Sequence, residues 1–217
     1  VVSNGANTSL FKPLEQETCR QELGLDLEIP YICFVGNLAP WQGVEYLVKA
    51  APSILFKFPG CHFLIVGDGV MKDDLFKLCS ELGVEDRFIF TGVIAYDRVP
   101  LYINASDACI APFIFARNAK IGLSPLKLYE YMACGKPVVA SNISGVSDTI
   151  EASGGGISVL PENPGALAEG VLNLLENPDL RTRLGSKGLS YVTENYSWYS
   201  VAEKVNEVCK SGLEVEN

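Results

Sequence analysis

The sequence predicts a doubly wound α/β fold, a parallel sheet with helices on both faces. Two observations carry that expectation. Short apolar runs such as Tyr31-Ile-Cys-Phe-Val35 and His62-Phe-Leu-Ile-Val66 are bounded by Pro and Gly. Runs of that kind suit strands buried on both faces. Between them lie longer segments with apolar residues at helical spacing, such as Val44, Leu47, Val48 and Ala51. Strands alternating with helices need crossover connections, and crossovers give parallel pairing.

The elements follow in order. Residues 1–13 are extended, with a turn at Asn4-Gly5. Residues 15–23 form a short helix ending at Gly24. Strand 31–35 leads to helix 43–58, and strand 62–66 to helix 71–82, which Gly83 closes. Strand 88–90 precedes helix 98–105. Strand 108–112 precedes a loop over 113–124. A nearly apolar helix follows, with Ser124 as N-cap and Pro125 as its first helical residue. Gly135 stops it, and Lys136-Pro137 keeps it from restarting. Strand 137–140 and, after a short element, strand 157–160 complete the sheet. The last third is helical over 164–176, 179–194 and 199–210, broken at Asn177-Pro178 and at Tyr196-Ser-Trp198. Nothing reads as a repeat or an interdomain linker, so residues 1–217 are expected to form one domain.

Composition narrows the function. The net charge is −9 with no basic tract, which argues against nucleic acid or an anionic membrane surface as partner. No run approaches the roughly 20 apolar residues of a membrane span. The opening VVSNGANTSLFKP lacks the basic region and cleavage site of a signal peptide. The seven cysteines are odd in number and scattered without a C-x-x-C, as expected of reduced thiols in a cytoplasmic protein. The single histidine, His62, falls in a strand-like run, where a structural role is expected and a metal site has no support.

Ligands of open parallel sheets bind outside the carboxyl ends of the strands. That rule selects the loops 36–43, 67–69, 91–94 and 113–124. Glu130 stands out beyond them, a mid-helix carboxylate among Leu128, Tyr129, Tyr131 and Met132. A carboxylate in apolar surroundings is costly without a partner. The start of the same helix has amides free for an anion. Together they suit a ligand with phosphates and a diol, such as a nucleotide.

Five stretches, in order, resemble the C-terminal domain of the retaining, family 4 glycosyltransferases of GT-B fold, the glycosyl transferases group 1. They are NGANTSLFKP, FVGNLAPWQGVEYLVKA, FLIVGDGVMKDDL, FIFTGVIAYDRVPLYINASDACIAPF and LYEYMACGKPVVAS. The resemblance implies a Rossmann-like domain that binds a nucleotide sugar, a UDP- or GDP-sugar, with no metal or other cofactor. It implies a second Rossmann-like domain, earlier in the polypeptide, that brings an acceptor glycan, lipid or small molecule. Nothing here corresponds to that domain, so the chain is expected to be an excised donor-binding half, transferring nothing alone. Any membrane association would come through the missing domain. By the same resemblance, Glu130 matches the glutamate that grips the ribose. Ser124, Pro125 and Leu126 match the phosphate-binding helix start, where the amides of Leu126 and Lys127 are the better donors because Pro125 lacks an N–H. Val93 and Ile94 match the loop whose backbone reads the base, and Gly36 lies where backbone nears the pyrophosphate.

Three positions depart from the family pattern. The first glutamate of its E-x7-E motif falls at Gly122. The usual arginine and lysine of the phosphate loop are Asn37 and Gln42, which retain only neutral hydrogen bonds. Lys127, in the first helical turn where a cation opposes the helix dipole, is expected to neutralise the diphosphate together with Arg117, with Lys120 nearby. Trp41 is expected to pack on the protein rather than on ligand. No residue here reads as a general base. Other readings stay open: an epimerase or glycan phosphorylase of GT-B architecture, a nucleotide-sugar sensor without catalysis, and, more weakly, a dinucleotide oxidoreductase, whose third glycine Gly67-Asp-Gly-Val-Met-Lys72 lacks.

Overall fold

A computed structural model describes the backbone over residues 4–121 and 125–214, and the side chains of those residues other than 119–121 and 211–214. Gly122 and Ser124 therefore lie outside the described residues, as does the side chain of Lys120. Six parallel strands form one sheet: β1 (Tyr31–Val35), β2 (His62–Val66), β3 (Phe88–Gly92), β4 (Ala108–Ala111), β5 (Val138–Ser141) and β6 (Gly156–Val159). Their spatial order is β3-β2-β1-β4-β5-β6. The order reverses between β1 and β4, the switch point outside whose carboxyl ends ligands of such sheets bind.

The helices are α1 (Gln16–Leu23), α2 (Val44–Lys57), α3 (Lys72–Glu81), α4 (Val99–Ala105), α5 (Phe115–Ile121), α6 (Leu126–Ala133), α7 (Ser147–Ser153), α8 (Pro164–Glu176), α9 (Pro178–Asn195) and α10 (Trp198–Glu214). Period-two alternation of the strands feeds two cores. Ile32, Phe34, Phe63 and Ile65 pack with residues of α2, α3 and α8 on one face. Tyr31, Cys33, Leu64 and Val66 pack with residues of α4, α6, α7 and α9 on the other. Burial on both faces explains why the strands read as unbroken apolar runs. The cysteines are free: Cys209 is exposed and the other six are buried. His62 is partly buried, its Nδ1 2.9 Å from the Gly60 carbonyl. Among the described residues no helix is long and apolar enough to cross a membrane.

Four local expectations change. The segment expected as a loop over 113–124 contains α5. Phe115-Ala-Arg-Asn-Ala-Lys-Ile121 has no Gly or Pro to oppose a helix, and the Phe115 amide is satisfied by Glu162 Oε2 at 3.1 Å, 47 residues away. Pro125 is the N-cap of α6 rather than its first helical residue, with φ −82° and ψ 57°. Its carbonyl accepts the Tyr129 amide at 3.4 Å, as an N-cap carbonyl does, and the Leu128 amide at 2.8 Å. Strand β5 begins at Val138, because Pro137 has no N–H for the ladder, although its carbonyl accepts from Cys109 at 3.0 Å. The N-terminal turn falls at Asn7–Phe11 rather than Asn4-Gly5: the Phe11 amide donates to Asn7 O at 2.8 Å, and Asn7 Oδ1 accepts from Ser9 and Leu10.

Candidate functional site

The site is built where α6 meets the end of β1. Tyr131, fully buried, accepts the Val35 amide on its phenol oxygen at 2.8 Å. That bond clamps the helix to the last residue of the strand. Residues three and four apart on a helix share a face. Lys127 and Glu130 are therefore presented beside the β1 end together with Tyr131.

Lys127 reaches the loop that follows β1. Its Nζ donates to Gln42 Oε1 at 2.6 Å and lies 4.0 Å from the Phe34 ring centre and 5.1 Å from that of Phe113. Gly36, at φ +146°, leaves the space it uses: a Cβ there would stand 2.8 Å from Nζ. An ammonium against aromatic faces gains a cation–π attraction, yet it has lost most of its water. Burial pushes the Lys127 pKa down to about 7, against the pull of Glu130. An ammonium has three N–H donors, and Gln42 satisfies one.

Glu130 lies one turn further along α6, partly buried. Its Oε1 accepts a hydrogen bond from Tyr96 Oη at 3.0 Å. Burial raises its pKa, while the Tyr96 bond and the Lys127 charge oppose the rise. Tyr96 opens a short 3-10 turn, Tyr96–Arg98, just after β3. Burial and the Glu130 charge push its own pKa up to about 12.

The remaining candidates divide. Gly36, Gln42 and Lys127 meet in one cluster. Pro125 and Leu126 lie at the start of α6, where the Leu126 and Lys127 amides have no intrahelical partner. Asn37 is exposed, and a Cβ on Gly69 would meet its Oδ1 at 2.3 Å, so it turns toward the loop after β2. Arg117 is exposed and its guanidinium stacks on Trp41 at 3.9 Å rather than joining Lys127. Trp41 also accepts Asn118 Nδ2 on its carbonyl at 3.0 Å. Val93 is 83% exposed, while Ile94 is partly buried against the core. Phe113 opens the expected site loop 113–124, whereas Tyr96 and Phe34 were not foreseen as parts of this site. A tyrosine in FTGVIAYDRVP carries no local sign that it reaches a carboxylate 34 residues on. Among the described residues no group of three or more His, Cys, Asp and Glu is placed to hold a metal. The arrangement provides free amides and an ammonium with two unused donors among the described residues for an anion, and a carboxylate one turn away for hydroxyls.

The chain is similar in sequence and fold to known proteins. The family model described as "Glycosyl transferases group 1" matches residues 15–191. The chain is 32% identical over 199 residues to an alpha-D-kanosaminyltransferase of Streptomyces kanamyceticus, covering 90% of this chain and 50% of that protein. It is 30% identical over 206 residues to a GDP-mannose-dependent alpha-(1-6)-phosphatidylinositol monomannoside mannosyltransferase of Mycobacterium tuberculosis, covering 93% and 53%. A sucrose-phosphate synthase structure from Thermosynechococcus elongatus superposes with a TM-score of 0.83 at 26% identity, covering 99% of this chain and 52% of that one. The chain thus spans about half the length of the curated relatives it matches.

Proposed function

The chain belongs to the glycosyl transferases group 1 family, and on that premise we propose that it is the donor-binding half of a glycosyltransferase. It binds a nucleoside-diphosphate sugar, a UDP- or GDP-sugar, for transfer of the glycosyl group to an acceptor with retention at the anomeric carbon. The observation that carries the reading is one helix face. Lys127 stands at the end of β1 beside Gly36, and Glu130 follows one turn later beside the turn after β3. A cation and a carboxylate so spaced suit a diphosphate and its adjoining ribose. The GDP-mannose dependence of the mycobacterial relative supports a nucleotide-sugar donor.

In this reading the amides of Leu126 and Lys127, with the Lys127 ammonium, take the diphosphate. Lys127 supplies the charge that Asn37 and Gln42 do not, and Gln42 orients it. A dianion beside the ammonium holds it protonated, so binding draws Lys127 to its charged form. Charge develops on the leaving diphosphate during transfer, and fixed amides and a preplaced cation stabilise it there. Arg117 contributes by swinging from Trp41 toward the phosphates. Glu130 accepts the ribose hydroxyls, and the backbone of Val93 and Ile94 meets the base. The acceptor enters from a preceding Rossmann-like domain of the same polypeptide.

A thermal-shift panel of UDP, GDP, ADP and their sugars tests this. Stabilisation by a uridine or guanosine diphosphate, abolished in Glu130→Ala, is expected. No stabilisation by any of them, or stabilisation unchanged in Glu130→Ala, contradicts the reading.

A further inference from the structure

Glu130 does not stand alone on α6. The Tyr96 hydroxyl holds one of its oxygens at 3.0 Å. The tyrosine is itself anchored: its ring centre lies 5.3 Å from that of Phe11, tilted by 60°, and Phe11 is fully buried. Yet 56% of Tyr96 is open to solvent, so water could satisfy its hydroxyl. Folding does not require the bond to Glu130. The bond fixes the carboxylate in one orientation, and it does so from the turn that directly follows Val93 and Ile94.

We infer that Tyr96 positions the Glu130 carboxylate for a vicinal diol and so sets the preference of the site for ribose over deoxyribose. The inference rests on the reading of Glu130 as the ribose-binding group. A carboxylate has about four acceptor positions on its two oxygens. Tyr96 takes one of those on Oε1. Oε2 and the remaining capacity of Oε1 are left for two adjacent hydroxyls. Tyr96 thus ties the loop assigned to the base to the group assigned to the sugar ring, and both are ordered as one unit. It is a positioning residue that acts through Glu130.

The test is equilibrium titration of the full chain with UDP and GDP and with their 2′-deoxy and 3′-deoxy counterparts. The parent, Tyr96→Phe and Glu130→Gln are compared. Phenylalanine keeps the ring on Phe11, so the fold is retained. The parent is expected to prefer the ribonucleotide by about tenfold, the size of one hydrogen bond to a charged group. Tyr96→Phe is expected to reduce that preference to about twofold while its affinity for the deoxynucleotides stays at the parent value. A second readout is the acid limb of UDP binding. Glu130 is faced by Lys127 from its own helix and by Tyr96 from the turn after β3, and both favour its ionised form. Without the Tyr96 hydroxyl the carboxylate protonates at higher pH, so binding is lost earlier on acidification. If Glu130→Gln erases the preference and Tyr96→Phe leaves it and the acid limb unchanged, the role of Tyr96 is overturned and the ribose reading stands. If the parent shows no preference, binds neither nucleotide, or retains its preference in Glu130→Gln, the ribose reading fails and this inference with it.

Discussion

The two ends of the sheet hold buried or partly buried charges, and they treat them differently. At the amino end each nitrogen of the Arg20 guanidinium has an acceptor. Its Nε donates to Ala105 O at 2.9 Å, Nη1 to Leu27 O, and Nη2 to Asp107 Oδ2 at 2.8 Å, with Tyr31 beneath the guanidinium at 5.1 Å. Asp107 Oδ2 in turn accepts the Tyr31 amide at 2.8 Å. At the carboxyl end Lys127 has Gln42 as its one hydrogen-bond acceptor among the described residues. Glu130 has a single hydrogen-bond donor among the described residues, Tyr96. A satisfied charge has its work inside the fold. A buried charge with unused bonding capacity costs stability and is explained by a ligand that completes it.

The comparison breaks most visibly at Arg20. Removing one member of a buried ion pair leaves the other uncompensated, typically at about 3–5 kcal/mol. Arg20→Ala is therefore expected to lower unfolding free energy by about that amount in a urea titration. A loss under about 1 kcal/mol would show that the amino end is not the structural pair described.

Lys127 should move the opposite way. Its pKa falls from 10.5 unfolded to about 7 folded. Between those values the unfolded chain binds more protons, so the Lys127 contribution makes stability rise with pH through that window and is most unfavourable below it. Lys127→Met is expected to be more stable than the parent, and the gain to be larger at pH 6 than at pH 9 by about 3 kcal/mol. Denaturant unfolding at the two pH values checks it, and a destabilised variant with no pH dependence would contradict it.

Gly36 links the two effects. Its φ of +146° disfavours a side chain, and a Cβ would meet Lys127 Nζ at 2.8 Å. Gly36→Ala is expected to cost about 1–3 kcal/mol for the strained backbone and to weaken nucleotide binding by displacing the ammonium. Full affinity in a folded Gly36→Ala protein would separate Lys127 from the ligand. The smallest change is at the surface. Lys57 and Glu176 pair at 2.8 Å, both about half exposed. Lys57→Ala is expected to cost less than about 1 kcal/mol and to leave nucleotide binding alone, with a larger loss marking a network the geometry does not show.

The sheet was legible because its strands are buried on both faces and so carry unbroken apolar runs. Glu130 was legible because a carboxylate mid-helix among apolar neighbours has no local explanation. Lys127 was legible in part: a cation in a first helical turn opposes the dipole, but its seat on Gln42, 85 residues away, is a tertiary fact. Helix α5 and the Tyr96 contact were not legible for the same reason. The groups that satisfy them, Glu162 and Glu130, are 47 and 34 residues distant. Arg117 was expected beside Lys127 because both are cations near one loop. The indole of Trp41 offers it a nearer partner.

The central claim is that the spare capacity of Lys127 is completed by a nucleoside diphosphate. Calorimetric titration of UDP and GDP into the parent and into Lys127→Met, at matched low ionic strength, tests it most directly. The parent is expected to bind one of them at least about tenfold more tightly than the variant, as befits loss of a hydrogen bond to a charged group. Equal affinity in the two proteins, with Lys127→Met folded, would contradict it.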